Sequence, residues 1–186
     1  DQVIEAVVGG HLSWVDYNND GYLDLTLNGF QIINFVPYIE TFFYKYDPEQ
    51  EKFVEDTESE LFLDKNFDGI PDHVTAGGSN AHHWGDYDND GDLDYVHAGY
   101  DKYYNRRLDV FYNDSGILRL DTNQTDLVPI YPGIVQWTDL NRDGRLDLVT
   151  IGADETQSLR MRGYLSDPNH ILKPSLNYEA EVYGVT

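Results

Sequence analysis

Cysteine is absent from the 186-residue chain, so neither disulfides nor thiolate metal sites contribute to its order. Basic residues are scarce. Twelve Lys and Arg stand against 34 Asp and Glu, a net charge of −22. Such a balance argues against nucleic acid and anionic membranes as partners, since both recruit basic patches. No apolar run nears the roughly eighteen residues that a membrane-spanning segment needs, so direct membrane insertion is not expected. No basic-then-apolar leader is found, and residue 1 is Asp, which reads as a mature chain or an excised piece of a longer one. Helical periodicity is missing as well. The nearest candidate, residues 49–61, is mostly acidic and lacks a sustained apolar face. Catalytic signatures are equally wanting: no Gly-x-Ser-x-Gly, no phosphate-cradling glycine loop and no zinc-protease helix motif occurs. The chain reads as a non-enzyme, with a polysaccharide-active enzyme as the residual alternative because carboxylate pairs abound.

The acidity does not signal disorder, because 40% of the residues are apolar and 14% aromatic. It is organised. One nine-residue pattern occurs four times, with oxygen-bearing side chains at positions 1, 3, 5 and 9 and glycine at position 6. The four sets are Asp16, Asn18, Asp20 and Asp24; Asp64, Asn66, Asp68 and Asp72; Asp86, Asp88, Asp90 and Asp94; and Asp139, Asn141, Asp143 and Asp147. Ca²⁺ takes about six to eight oxygen ligands, which a tight loop supplies by turning alternate residues inward. Glycine permits the sharp turn, after which the carbonyl of position 7 (Tyr22, Ile70, Asp92 and Arg145) can join the ring. Four bound Ca²⁺ would carry eight positive charges, reducing −22 to −14. The acidity is therefore largely a calcium signature. Loops of this kind with low affinity work where calcium is millimolar, which favours an extracellular or cell-surface home. Two N-glycosylation sequons, at Asn113 and Asn123, agree with a secreted glycoprotein.

The loops also set the architecture. Trp14, Trp84 and Trp137 stand two residues before the first, third and fourth loops, where the second has Phe62. Each loop runs into a short apolar stretch ending in glycine: residues 25–29, 73–77, 95–99 and 148–152. These read as strands. Farther on, aromatic residues precede a turn-forming Asp47, Asp114 or Asp167, followed by another apolar run. From the first loop residue to this turn is 31 residues for Asp16 to Asp47 and 28 for both Asp86 to Asp114 and Asp139 to Asp167. The same count from Asp64 falls inside the next loop, so the second loop is an insertion. Each remaining unit reads strand, calcium loop, strand, turn, strand, turn, strand, the repeat form of a four-stranded antiparallel propeller blade. The expected organisation is all-β: a blade over 10–58, an inserted calcium loop over 59–80, blades over 81–122 and 134–176, and the start of a further blade over 177–186.

The stretches 14–25, 84–95 and 137–148 resemble the FG-GAP/VCBS repeat family, whose relatives include the propeller of integrin α subunits. The resemblance implies a radial β-propeller with Ca²⁺ in the hairpin loop between the first two strands of each blade. It implies roles in adhesion, ligand binding or assembly, with a protein or glycan ligand or neighbouring copies of the chain as partners. The inserted loop lacks the tryptophan, carries Pro71, and looks more like a calcium loop of the thrombospondin type 3 sort. Closed propellers have about four to eight blades; three are found, as in a segment of a larger propeller. Alternative roles are a glycan-binding or accessory module of a secreted carbohydrate-active enzyme, and a subunit of a self-assembling extracellular filament.

Other residues have competing readings. The three tryptophans are expected to pack between blades rather than to form a sugar-stacking platform. His82 and His83 adjoin on a strand and point to opposite faces, so an inter-blade role is expected rather than chelation of one ion. Lys102, Arg106 and Arg107, interleaved with Tyr100, Tyr103 and Tyr104, read as a solvated hairpin edge guarded by charge, or as a patch for an acidic partner or glycan.

Overall fold

A computed structural model describes residues 4–33, 35–59, 82–101 and 103–181, with the backbone alone at 32–33 and 36–40. The described chain is all-β. Strands β1 (Val8–Val15), β2 (Asp24–Ile33), β3 (Val36–Asp47) and β4 (Lys52–Glu55) form the first sheet. Strands β5 (His82–Gly85), β6 (Asp94–Tyr100), β7 (Arg106–Asp114) and β8 (Ile117–Leu120) form the second. Strands β9 (Gly133–Thr138), β10 (Asp147–Ala153), β11 (Leu159–Ser166) and β12 (Leu172–Glu181) form the third. Each sheet is an antiparallel meander in sequence order, as the three repeat units require. No helix among the described residues is long and apolar enough to cross a membrane.

Register carries the repeat across each sheet. Trp14 pairs with Leu25, and Leu25 with Tyr44; Trp84 pairs with Tyr95, and Tyr95 with Phe111; Trp137 pairs with Leu148, and Leu148 with Tyr164. Because successive strand residues point to opposite faces, the middle sheet is apolar on both sides. Tyr95 and Phe111 face the first sheet and pack with Val15, Tyr17 and Phe43. Val96, Ala98 and Val110 face the third sheet and pack with Val135, Trp137, Leu148 and Tyr164. The three sheets thus stack in chain order without closing into a ring.

The tryptophans key each sheet onto the one before. Trp84 stacks on Tyr17 with ring centroids 5.4 Å apart, and its indole N–H donates to Thr26 Oγ1 at 3.3 Å. Trp137 stacks on Tyr87 at 5.3 Å with the rings 6° from parallel. A glycine makes this second approach possible: a Cβ on Gly85 would lie 2.8 Å from Trp137 Cδ1. Trp14 has no preceding sheet among the described residues; it is 52% exposed and meets Phe53 of its own sheet at 5.7 Å. The outer face of the first sheet, with Leu25, Leu27, Phe42 and Tyr44, is covered in part by Ile4 and Val7.

His82 and His83 divide between the two interfaces as their alternation demands. His82 is fully buried, with Nε2 2.8 Å from Ser13 Oγ of the first sheet. His83 turns to the third sheet, where Nδ1 lies 3.5 Å from the Trp137 amide. Residues 177–181, expected to begin a further blade, lie at the far end of β12. After a register shift, Ala180 pairs with Met161 and Glu181 with Arg160. A bulge lets β12 run on along β11. The inserted loop at 59–80 lies outside the described residues from residue 60 onward.

Candidate metal centres

The loop between the first two strands of each sheet folds the same way three times. In the first, the Asp20 amide donates to Asp16 Oδ1 and Asn18 Oδ1, both at 3.1 Å, and the Gly21 amide donates to Asp16 Oδ2 at 3.0 Å. In the second sheet, the Asp90 amide donates to Asp86 at 3.0 Å and Asp88 at 3.2 Å, and Gly91 to Asp86 at 3.2 Å. In the third, the Asp143 amide donates to Asp139 at 3.1 Å and Asn141 at 2.9 Å, and Gly144 to Asp139 at 3.0 Å. Position 4 takes a left-handed conformation in every copy, with φ of 57° at Asn19, 61° at Asn89 and 63° at Arg142. So does the glycine at position 6, with φ of 87°, 102° and 86°. Any Cβ there would be strained by φ alone, though it would meet no atom within 4 Å.

Side chains at positions 1 and 3 therefore converge on the amide of position 5 in each loop, and position 9 opens β2, β6 or β10. In the second sheet, oxygens of Asp86, Asp88 and Asp94 all lie within 4.8 Å of one another. A hard divalent cation suits such a set of oxygens. The other two described loops substitute Asn18 and Asn141 at position 3, keeping an oxygen while removing one charge. The residues at position 7 serve the loop through their amides: Tyr22 donates to Asp20 at 2.8 Å, Asp92 to Asp90 at 2.9 Å and Arg145 to Asp143 at 3.0 Å. The Asp92 side chain turns outward and accepts from Asn19 Nδ2 at 2.7 Å, tying the first loop to the second. Arg145 also bonds the Asp143 carboxylate through its guanidinium and the Ser166 carbonyl at 3.0 Å, so the third sheet's loop carries an internal cation. Its amide, more than its charge, holds Asp143 below the usual carboxylate range. The predicted ligands Asp64, Asn66, Asp68, Ile70 and Asp72 lie outside the described residues.

The ninth-position carboxylates are the structural hub. Asp24, Asp94 and Asp147 are wholly buried. Each is pinned by the amide of a β3-type strand: Tyr46 to Asp24 at 2.9 Å, Asn113 to Asp94 at 2.8 Å, and Ser166 to Asp147 at 2.8 Å. In the second and third sheets, Tyr87 and Leu140 add a second amide, at 2.8 and 2.9 Å. Asp24 Oδ2 is buried without a hydrogen-bond partner, an orphan oxygen that a cation would satisfy. Burial pushes Asp94 up to about 8, with Asp88 and Asp90 adding to the shift against the opposing amides. Burial likewise raises Asp24 to about 6, reinforced by Asp20 and Asp16. Carboxylates held this way, without a compensating positive charge, are costly to ionise.

These pinning amides are what sequence reading missed. Their signal was close by: Tyr46, Asn113 and Ser166 immediately precede Asp47, Asp114 and Asp167, the turn residues that measured out the repeat. A second device, in the first two sheets, joins the loop to the residue that follows the sheet's last strand. Tyr17 and Tyr87, at loop position 2, donate their hydroxyls to Asp56 and Asp121, both at 2.7 Å. Asn113 has a further task, since its side-chain amide donates to the Tyr17 carbonyl at 2.6 Å and the Leu93 carbonyl at 2.9 Å. It is 1% exposed. The folded chain therefore has no room for a glycan at the Asn113 sequon, whereas Asn123 is exposed. The basic cluster is also dispersed: Arg107 pairs with Asp109 at 2.9 Å, Arg106 lies over the Tyr100 ring, and Lys102 is outside the described residues. Comparison with family models, with curated proteins and with solved structures finds no match for the chain.

Proposed function

We propose that the chain is a calcium-binding segment of an extracellular β-propeller, of the kind the FG-GAP/VCBS-like repeats imply, serving adhesion, ligand binding or assembly without catalysis. The observation that carries this reading is the convergence of Asp86, Asp88 and Asp94 within 4.8 Å around a buried carboxylate, in a loop conformation that recurs in all three sheets. Asp16, Asn18, Asp20 and Asp24 would hold a second ion, and Asp139, Asn141, Asp143 and Asp147 a third. The ion's role is structural: it neutralises clustered carboxylates and fastens the loop to the strand pair behind it. The propeller reading is supported by the repeated Trp-on-Tyr stacking between successive sheets. It also accounts for Trp14, which sits in the same register position yet is 52% exposed; its face is assigned to a further blade of the same repeat.

Calcium removal tests the proposal. An ion at one to ten times its Kd adds about 0.4–1.4 kcal/mol per site. Three sites give roughly 1–4 kcal/mol, or roughly 3–15 °C in melting temperature for a chain of this size. Melting in excess EGTA should therefore fall by several degrees and recover when calcium is restored. A melt unaffected by chelator would refute a structural role for calcium.

A further inference from the structure

A groove of about 530 Å³ opens between the second and third sheets at the end of the strands remote from the Asp/Asn loops. Its volume lies within the range of about 300–1,000 Å³ typical of small-ligand sites. One wall is the β6–β7 turn, with Tyr104 and Arg106; the opposite wall is the β10–β11 turn, with Glu155; the connection into β9 lines it with Leu127, Val128 and Pro129. We propose that this groove binds a terminal neutral sugar residue of a glycan.

The two turns are built alike, which makes their difference informative. In one, the Tyr104 amide donates to the Asp101 carbonyl at 2.9 Å; in the other, Gln157 donates to the Asp154 carbonyl at 3.0 Å. The fourth residue is left-handed in both, with φ of 62° at Tyr104 and 63° at Gln157. Asparagine or glycine adopts that conformation readily, and a bulky aromatic does not. Yet the second sheet places tyrosine there, 67% exposed, where its ring contributes little to the core. Strain retained at an exposed aromatic beside a groove points to recognition.

The polar groups complete the match. Arg106 is fixed by its Nε donating to the Tyr131 carbonyl at 3.3 Å and by its position 6.0 Å from the Tyr100 ring centre. Its terminal N–H groups make no hydrogen bond among the described residues. Glu155 is exposed and makes no ion pair among them. Asp154, by contrast, is neutralised by Arg162 at 2.6 Å. The groove thus offers one positive and one negative group, together with an aromatic face and an aliphatic floor. A pyranose has one C–H face to lay on an aromatic ring and a rim of hydroxyls that both donate and accept. A neutral sugar fits this balance better than an acidic one, which the −22 charge of the chain would also repel.

Saturation-transfer NMR on the full chain tests the assignment, using D-glucose, D-galactose, D-mannose, N-acetyl-D-glucosamine, L-fucose and D-glucuronate as probes. At least one neutral sugar should receive transfer, strongest at its ring C–H protons. Tyr104→Asn, which retains the left-handed turn, and Arg106→Leu should each weaken binding at least about tenfold. Glu155→Gln, on an exposed turn, provides a third variant that leaves the fold intact, with the same loss expected. Trp14→Ala, far from the groove, should leave binding unchanged. Transfer to no neutral sugar, transfer to glucuronate alone, or neutral-sugar binding unaltered by Tyr104→Asn and Glu155→Gln would overturn the assignment. The groove is independent of the metal centres, and calcium titration reports on those separately.

Discussion

Stripped of metal, the protein should become less stable relative to its Asp94→Asn variant as pH rises from 6 to 8. Asp94 is wholly buried in the second sheet, and burial raises its carboxyl to about 8, against about 3.9 in an unfolded chain. The folded state therefore holds a proton that the unfolded state releases. The contribution of this group is fully present below about pH 4 and is lost as pH climbs through about 8. Integrated between pH 6 and 8, the loss is about 2 kcal/mol. The variant cannot ionise at this position, and buried histidines such as His82, together with Asp24, are common to both proteins. Their titrations cancel in the difference. Urea unfolding of both proteins at pH 6, 7 and 8 in metal-free buffer reads the effect. Saturating calcium should flatten the wild-type dependence, because the cation holds the carboxylate ionised. A difference constant to within about 0.5 kcal/mol across that range would show that Asp94 is not the uncompensated buried acid described above.

The tryptophan keys differ sharply in predicted cost. Trp137→Ala should lose about 3–5 kcal/mol as a buried aromatic truncation, whereas Trp14→Ala, at a site 52% exposed, should lose about 1 kcal/mol or less. Equal losses in chemical denaturation would contradict the role of Trp137 in joining the sheets. Tyr87→Phe removes the donor to the buried Asp121 carboxylate and should cost about 1–3 kcal/mol. Tyr112→Phe, at 37% exposure, should be close to neutral, and matching losses would argue against the tyrosine–aspartate tie.

Much of the sheet structure was legible because its signals are local. The three repeat units, the short apolar strands and the turns at Asp47, Asp114 and Asp167 follow from alternation and turn chemistry within a few residues. The Asp/Asn loops were legible for the same reason, since four oxygen positions and a glycine fit within nine residues. What pins Asp24, Asp94 and Asp147 was not, because the donors Tyr46, Asn113 and Ser166 lie about twenty residues away, across a strand pair. Burial was invisible too: Asn113 satisfies the sequon rule while its side chain serves as a joint between sheets. The alternation of His82 and His83 could be foreseen from strand geometry, but which sheet each would face could not. Tyr104 read as part of a charged hairpin edge; only the folded turns bring it opposite Glu155.

Calorimetric titration of calcium into the chelator-treated chain counts the ions these loops hold. Calcium should bind at three loops, Asp16 to Asp24, Asp86 to Asp94 and Asp139 to Asp147, with a fourth ion at Asp64 to Asp72, and Asp94→Asn should remove one equivalent. Absence of calcium binding, or a stoichiometry unaltered by Asp94→Asn, would contradict the calcium proposal.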